Sequence, residues 1–319
     1  MINLAIIILN YRTPQLVVDC LFSLQNQMTS DEQQVIVVDN ASGDNSVEVI
    51  ENTIAQQGWE NWVKLVPSPV NGGFSAGNNV GIKAIEAENY LLLNSDTIVR
   101  EGAIEHLLKA LEKYSEAGLI SPRLEWPDET PQISCFRYHS PISELIKAAA
   151  TGPVTKLFNA YDVPIPVSDT PFEPEWTSFA CVLIRKKVID EIGLMDEGYF
   201  MYFDDIDYCR RARDAGWKIV HYPAARVVHL RGGSGTIKKE LATRKRPRPY
   251  LYASRSRYFA KFYSGKFGLL QANLCWLMGR SISLLREITG NRKESHVNEK
   301  TIQDIWIYWR DPMQPYKHN

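Results

Sequence analysis

Two adjacent carboxylates, Asp204 and Asp205, lie between a run of aromatic residues and a basic segment, and His229 ends the apolar stretch that follows. A carboxylate beside apolar rings can accept a proton from a substrate hydroxyl when burial raises its pKa. The alternative is structural, because aspartate is also favoured at the start of a helix. The pattern therefore predicts either a general base or a helix cap.

Three further groups of polar residues each follow a short apolar run typical of a buried strand. They are Asn10-Tyr11, Asp39-Asn40 and Asn94-Ser95-Asp96. Helical segments separate these runs, and strict alternation of strand and helix predicts βαβ units with a mostly parallel sheet. Later in the chain we expect a strand over residues 176–184 and short strands over residues 218–220 and 225–229. Because ligands bind at the carboxyl ends of parallel strands, we expect the three groups to line one crevice.

Each strand-end acid has two interpretations. Asp96 is suited to Mg²⁺ or Mn²⁺, which bind one or two carboxylates together with phosphate oxygens of a substrate. Asp39 and Asn40 offer a carboxylate and an amide that suit the base or ribose of a nucleotide. Both acids also fit turns in which the side chain bonds to its own backbone.

A glycine-rich segment spans residues 71–79, and we expect a helix to follow it over residues 80–86. Its spacing is not that of a GxGxxG fingerprint or a GxxxxGK[ST] phosphate loop, and it does not follow the first strand. Glycines nevertheless allow a ligand to approach the backbone closely. The missing fingerprint argues against a nucleotide-dependent oxidoreductase, which would also use a parallel sheet.

The composition is that of an ordinary globular protein. The 319 residues carry a formal net charge of −1, with 45% hydrophobic and 23% charged residues. This fits one large α/β domain, alone or with an appendage, and excludes a broadly basic nucleic-acid-binding protein. Five scattered cysteines without a CxxC pair predict a reducing, cytoplasmic compartment. The apolar start lacks the features of a signal peptide and is interpreted as a strand.

The order of elements predicts a domain over residues 1–235 and an extension over residues 236–319. Within the domain, residues 122–174 are rich in proline, serine and aromatic residues and form an excursion that lines the site. The extension begins with a basic loop, 238–248, that closes over an anionic ligand, touches an anionic membrane or is simply solvated. Its segment 267–285 is too short to span a bilayer and suits an amphipathic helix on the domain, another subunit or a membrane.

Taken in order, the motifs NYR, VDNAS, NGGFSAGNN, LNSD and FDDID, followed by GW and a histidine, resemble the family 2 glycosyltransferases, in particular their bacterial rhamnosyltransferase-like branch. The resemblance covers roughly residues 3–235 and depends on the ordered combination of motifs. It implies the α/β fold called GT-A, a Rossmann-like, mostly parallel sheet flanked by helices, here with a helical C-terminal extension.

The resemblance also implies catalytic and metal-binding roles. Asp205 matches the general base, and Asp204 occupies a position where glutamate is commoner. Asp96 matches the metal-binding acid of a DxD-type motif whose first acid is replaced here by Asn94. His229 matches a histidine that completes the metal site in several relatives. The alternative is a structural histidine at a strand end, whose hydrogen bonds are satisfied by the protein.

Binding roles follow from the same resemblance. On the nucleotide and donor-sugar side it implies Asn10, Tyr11, Arg12, Asp39, Asn40, Asn71, Gly73, Asn78, Asn94 and Asp96. On the acceptor side it implies Asp204 and Trp176, although packing in the core is an equally good explanation for Trp176.

The activity implied is inverting, metal-dependent hexosyl transfer with Mg²⁺ or Mn²⁺. The donor is a dTDP-, UDP- or GDP-linked sugar, with rhamnose the first candidate, and the acceptor is a saccharide or lipid-linked saccharide for the cell surface. Such an enzyme works in the cytoplasm or at the inner face of the plasma membrane, alone or as a homo-oligomer. A non-catalytic nucleotide-sugar-binding protein is the other alternative, but it needs no base, so Asp205 together with Asp96 and His229 favours the enzyme.

Overall fold

The computed structural model describes residues 2–231, 244–290 and 297–316, and an eight-stranded sheet forms its centre. The strands of this sheet are β1 (Ile2–Asn10), β2 (Gln33–Asp39), β3 (Val63–Pro67), β4 (Ala87–Asn94), β5 (Thr97–Val99), β6 (Ala117–Glu125), β9 (Cys181–Arg185) and β10 (Lys218–His229). A separate two-stranded sheet pairs β7 (Cys135–Phe136) with β8 (Trp176–Thr177).

Helices pack on both faces of the large sheet. The helices up to residue 231 are α1 (Pro14–Gln25), α2 (Ser46–Gln57), α3 (Gly73–Lys83), α4 (Ala103–Lys113), α5 (Pro141–Ala149), α6 (Gly152–Leu157), α7 (Lys186–Ile192) and α8 (Asp204–Asp214), with a short 3₁₀ helix over Asn159–Tyr161. Those after residue 243 are α9 (Pro249–Phe262), α10 (Lys266–Ile288) and α11 (Thr301–Asp304).

The strand order is β3-β2-β1-β4-β9-β6-β10-β5, and only β9 and β5 run antiparallel to the other strands. The prediction of a mostly parallel sheet is therefore confirmed. Along β1, Leu4, Ile6 and Ile8 pack into the core on one face. Ala5 and Ile7 pack into the core on the other face. Because both faces are covered, the strand sequence is continuously apolar.

The glycine-rich segment is not a loop that precedes a helix, so that prediction was wrong. Helix α3 begins at Gly73 and contains most of the segment. A Cβ atom at Gly77 would lie 2.3 Å from Cδ1 of Leu9 on β1. The glycine therefore allows α3 to pack closely on the end of β1, and this tertiary contact overrides the weak helix propensity of glycine.

Two strand predictions also need correction. The stretch 176–184 contains two strands, because the chain leaves the small sheet after β8 and enters the large one at β9. The stretch 218–229 is one strand, β10, whose register against β6 shifts between Tyr222 and Arg226. Pro223 lies in this irregular part, where a missing backbone N–H is tolerated.

The C-terminal helical extension is confirmed and packs on the domain. Tyr258 and Phe259 of α9 and Leu269 of α10 join the same core as α3 and α8. Of the basic loop, residues 238–243 lie outside the described residues. Arg246 pairs in a bidentate manner with the buried Asp304, through nitrogen–oxygen distances of 2.8 and 2.7 Å.

Helix α10 has one packed and one exposed face. Gly279 on the packed face lies so close to α5 that a Cβ atom there would be 2.3 Å from the carbonyl oxygen of Leu145. Large apolar side chains project from the exposed face, among them Phe267, Leu274, Met278 and Leu285. Within the ranges that the structure covers, no helix is long and apolar enough to cross a bilayer.

Candidate functional site

The polar strand ends predicted from the sequence lie at one edge of the sheet, and we call them the strand-end cluster. Its members are Asn10, Asp39, Asn40, Ser42, Asp96 and His229. Asn10 and Asp39 are direct neighbours in the pairing of β1 with β2, and Leu9 pairs with Asn94 on β4. The parallel direction of these strands brings their carboxyl ends to the same edge, as expected.

Asp39 is buried, and both of its carboxylate oxygens accept hydrogen bonds from its neighbours. Its Oδ1 accepts hydrogen bonds from Asn10 Nδ2 at 2.7 Å and from Ser42 Oγ at 2.6 Å. Its Oδ2 accepts one from the backbone N–H of Ser42 at 3.1 Å. Arg12, in the left-handed region at φ +58°, donates from Nε to the carbonyl of Ser42 at 2.8 Å, and its guanidinium lies 5.2 Å from the centre of the Tyr11 ring. Asn10 and Arg12 at the end of β1 thus form one connected network with Asp39 and Ser42.

A second group of amides lies at the start of α3. Asn40 Nδ2 donates to Asn71 Oδ1 at 3.0 Å and to the carbonyl of Gly73 at 3.1 Å. Asn40 Oδ1 is buried and has no hydrogen-bond partner among the described residues, so it is an acceptor available to a donor group of a ligand. Asn78, by contrast, is committed to its own helix, because its Nδ2 donates to the carbonyl of Phe74 at 2.9 Å.

Asp96 and His229 face each other at the other end of the cluster, with Asp96 Oδ1 3.5 Å from His229 Nε2. Both side chains are buried, and Nδ1 of His229 has no hydrogen-bond partner among the described residues. No group of three or more His, Cys, Asp or Glu side chains suited to a metal ion occurs within the described ranges. One carboxylate and one imidazole fit a divalent cation that takes its remaining ligands from a diphosphate and water.

The carboxylate pair, Asp204 and Asp205, begins α8 after a strained turn. Tyr202 and Phe203 have φ values of +67° and +64°. Consecutive left-handed residues other than glycine are costly and concentrate at functional sites. Phe203 occupies the N-cap position without a side-chain cap hydrogen bond, so neither aspartate is the cap residue. Asp205 Oδ1 accepts from the N–H of Ile206 at 2.9 Å.

Burial controls the protonation of this pair. Asp204 is 6% exposed, and its Oδ2 accepts no hydrogen bond from any described residue. Burial, with a contribution from the charge of Asp207, raises the pKa of Asp204 to about 7. Burial and then the charge of Asp204 raise the pKa of Asp205 well above its ordinary value. The pair therefore retains a proton near neutral pH and titrates as a unit.

The pair lies beside the strand-end cluster. The backbone N–H of Phe179 interacts with the carboxylate of Asp205. The next residue, Ala180, accepts a hydrogen bond from the N–H of Asn94 at 2.9 Å. On the other side, the carbonyl of Phe200 accepts from the N–H of Phe74 at 2.7 Å, and a Cβ atom at Gly73 would lie 2.0 Å from that carbonyl oxygen. The carboxylate pair is thus linked to the strand ends through the residues just before β9 and through α3.

Four aromatic rings, which we call the aromatic wall, contact one another at the strained turn that precedes the carboxylate pair: Phe200, Tyr202, Tyr250 and Tyr316. The rings of Tyr202 and Tyr250 are 15° from parallel with centroids 6.4 Å apart. Tyr250 also contacts Phe200 at 5.3 Å and Tyr316 at 5.6 Å. Sequence reasoning identified the aromatic run before Asp204 but missed Tyr250 and Tyr316, which come from α9 and the C-terminal segment.

Trp176 packs in the core. Its ring is 7% exposed and stacks on Phe136 with centroids 4.2 Å apart, and its Nε1 donates to the carbonyl of Arg137 at 2.8 Å. The packing alternative therefore accounts for Trp176. The arginines of α8 have structural partners too: Arg210 lies over the rings of Tyr138, Phe262 and Tyr263.

Comparison with known proteins identifies relatives over most of the chain. A family model described as glycosyltransferase like family 2 matches residues 3–250. The N-acetylglucosaminyl-diphospho-decaprenol L-rhamnosyltransferase of Mycobacterium tuberculosis is 27% identical over 264 residues, which are 78% of this chain and 81% of the relative. Rhamnosyltransferase WbbL of Escherichia coli is 25% identical over 166 residues, which are 49% of this chain and 60% of the relative.

Solved structures show the same fold at low sequence identity. A mannosyltransferase from Pyrobaculum calidifontis in complex with GDP-Man and Mn²⁺ superimposes with a TM-score of 0.59 at 13% identity, covering 91% of this chain and 76% of that one. GalNAc-T7 with UDP, GalNAc and Mn²⁺ gives a TM-score of 0.62 at 14% identity, covering 97% and 58%. The prediction of a GT-A fold is confirmed.

Proposed function

Because this chain belongs to the glycosyltransferase like family 2, we propose that it transfers a sugar from a nucleoside diphosphate to a hydroxyl of a saccharide or lipid-linked saccharide. The observation that carries this proposal is the carboxylate pair at the start of α8. Asp204 is buried, Asp205 is half-buried, and burial raises the pKa of both. A base with a pKa near the working pH is the arrangement that proton abstraction requires.

The reaction is an inverting displacement. Asp205 accepts the proton of the acceptor hydroxyl while that oxygen attacks the anomeric carbon, and the nucleoside diphosphate leaves from the opposite face. Asp204, whose Oδ2 accepts no hydrogen bond from a described residue, contacts the acceptor and shares the proton held by the pair. Holding both substrates in line lowers the entropic part of the barrier.

The strand-end cluster binds the donor. Asp39 and Asn10 hold the ribose or base, and the unengaged Oδ1 of Asn40 accepts a hydrogen bond from it. Gly73 and Asn71, next to the segment that leads into the carboxylate pair, line the sugar. Rhamnose is the first candidate because two of the relatives are named rhamnosyltransferases, and dTDP is therefore the first nucleotide to test.

Asp96 and His229 would hold Mg²⁺ or Mn²⁺, with Asn94 in place of a second acid. The cation, when bound, neutralises the charge that develops on the departing diphosphate. Mn²⁺ is part of both solved structures described above. The protein contributes two ligands that face each other in a buried position, and the diphosphate supplies others.

The acceptor lies against the aromatic wall, where partly exposed tyrosine rings can stack on the apolar face of a sugar ring. A lipid-linked acceptor is favoured by the name of the mycobacterial relative. It would be reached from the inner surface of the plasma membrane, with the exposed apolar side chains of 267–285 inserted between headgroups.

The test is a thermal-shift panel of dTDP, UDP, GDP and their sugars with and without Mn²⁺, followed by assay of nucleotide release in the presence of an acceptor. Ligand binding raises the free energy of unfolding by mass action. We expect one nucleotide diphosphate to raise the melting temperature more with Mn²⁺ than without. If no nucleotide does so, the donor site is misassigned; if one binds but is never turned over, the protein is a binding module.

A further inference from the structure

The helix that carries the carboxylate pair is held by charged groups of α9. Nζ of Lys261, on α9, lies 2.6 Å from Oδ1 of Asp207 on α8. The same nitrogen lies 2.8 Å from Oδ2 of Asp196, and Arg257 pairs with both oxygens of Asp196 at 3.1 and 2.8 Å. A single lysine therefore joins α9 to α8 and to the segment that leads into it.

These ion pairs are shielded from water. The side chain of Asp207 is 1% exposed and that of Lys261 is 24% exposed. Arg211 provides the second partner of Asp207, with Nε 2.8 Å from Oδ2. Loss of one partner of a buried ion pair is costly, because the remaining charge stays in a medium of low dielectric constant.

Asp207 is also the charged neighbour of the pair. It follows Asp204 by three residues, so the two side chains project from the same side of the first turn of α8. The negative charge of Asp207 opposes ionisation of Asp204. Without the charge of Lys261, this opposition would be stronger.

We propose that Lys261 is a positioning residue for the carboxylate pair: it clamps the first turn of α8 to α9 and offsets the charge of Asp207 beside Asp204. The proposal rests on the proposed function for its meaning in catalysis, but its physical content is independent of any substrate. It gives the C-terminal extension a role in the chemistry, since α9 supplies the cation as well as Tyr250.

Other charged or titratable groups lie around the start of α8 and the segment that leads into it. From its own helix these are Asp207 and Cys209; from the preceding segment, Asp196 and Tyr199; from α9, Lys261 and Arg257; from the excursion, His139. Burial lowers the pKa of His139 to about 4, so it is neutral where the pair titrates. Burial raises the pKa of Cys209 well above its ordinary value, so it too is neutral. Lys261 is a cation from outside α8 that pairs directly with Asp207.

The test follows the carboxyl carbons of aspartate by carbon-13 NMR in the full-length protein without substrate. The signals of the pair are assigned by their loss in Asp204→Asn and Asp205→Asn. In Lys261→Met the titration of the pair should move upward by on the order of one pH unit, and in Lys261→Arg it should return toward the wild-type midpoint. Lys186→Met, which removes a comparable lysine from an exposed pair with Asp190, should leave it unchanged.

An unchanged midpoint in Lys261→Met overturns the proposal. If that variant does not fold, Lys261→Gln, which keeps a polar end group without the charge, is titrated in its place under the same criterion. The outcome is separable from the proposed function. Turnover by Asp205→Asn at the wild-type rate would remove the glycosyl-transfer mechanism, whereas an inactive Asp205→Asn with no shift in Lys261→Met would remove only the role of Lys261.

Discussion

The strand-end cluster and the carboxylate pair each contain a buried acid, and the two acids differ in the hydrogen bonds that they accept. Asp39 in the cluster accepts three hydrogen bonds, from Asn10 and from the side chain and backbone of Ser42. Asp204 in the pair has an oxygen that accepts none from the described residues, and it follows two left-handed residues. An acid whose oxygens accept hydrogen bonds from its neighbours is held in one position, which suits binding. A buried acid with an unsatisfied oxygen has a raised pKa, which suits proton transfer.

The two regions also draw their support from different parts of the chain. The network around Asp39 is made by the adjacent strands β1 and β2 and the turn after β2. The carboxylate pair depends on α9: Ser254 Oγ donates to the carbonyl of Met201 at 2.9 Å, and Lys261 pairs with Asp207. The network around Asp39 therefore comes from one βαβ unit, while the carboxylate pair is supported by the C-terminal extension.

The largest expected effect is a loss of the rate of sugar transfer without a loss of nucleotide affinity. Asp205→Asn should lower the rate of sugar transfer by about 10²- to 10⁴-fold, because an amide cannot accept the proton. Nucleotide diphosphate affinity, measured by calorimetry, should stay at the wild-type value. Asp214→Asn makes the same substitution at the exposed end of the same helix and serves as the control. If Asp205→Asn also weakened nucleotide binding, the assignment of binding to the strand-end cluster and of proton transfer to the carboxylate pair would be wrong.

On the strand-end side, Asp96→Ala should abolish the effect of Mn²⁺ on nucleotide binding. At about 100 times the dissociation constant a ligand adds about 2.7 kcal/mol to the free energy of unfolding. In the variant, the part of this gain that depends on Mn²⁺ should disappear from the melting curve. Asp31→Ala, at an exposed position, should keep it. Persistence of the Mn²⁺ effect in Asp96→Ala would place the metal elsewhere.

The two regions are held by different parts of the chain, and this difference explains which features could be predicted from the sequence. Asn10, Asp39 and Asp96 follow apolar runs, and the parallel sheet alone brings such strand ends together. The position of α3 was not predictable in this way, because Gly77 reads as a loop residue unless the close approach of Leu9 is known. Tyr250 lies 45 residues after Asp205, so no local pattern connects them.

The sequence predicted a raised pKa for the pair only if the pair proved to be buried. The aromatic run before Asp204 indicated an apolar setting, but the burial itself is produced by residues distant in sequence, including Tyr258 of α9, which packs on Phe203 with ring centroids 5.3 Å apart. Helix propensity favoured a cap at Asp204 or Asp205, and the structure places Phe203 there instead. Tertiary packing sets both the position and the protonation of these carboxylates.

A stability measurement probes the pair without substrate. In the folded protein Asp204 keeps its proton up to about pH 7, whereas in the unfolded chain it ionises near its ordinary value. Stability should therefore fall as pH rises through this interval and level off above it. Asp204→Asn should match the wild type at acidic pH and exceed it by on the order of 1–2 kcal/mol at pH 8. Denaturant titrations at both pH values measure this difference, with Asp214→Asn as the control. If Asp204→Asn were less stable than the wild type at pH 8, the view that Asp204 has an unsatisfied oxygen would be wrong.

The smallest effect tests whether the aromatic wall belongs to the acceptor side. Tyr250→Ala removes the ring that stacks beside Tyr202 and contacts Phe200 and Tyr316. Aromatic stacking contributes about 0.5–1.5 kcal/mol, so the KM for acceptor should rise about two- to tenfold, with the KM for donor unchanged. Tyr250→Phe keeps the ring and should behave as the wild type. An equal rise for donor and acceptor would mean that Tyr250 supports the segment around Phe200, and through it α3, and the wall would then belong to the donor side of the crevice.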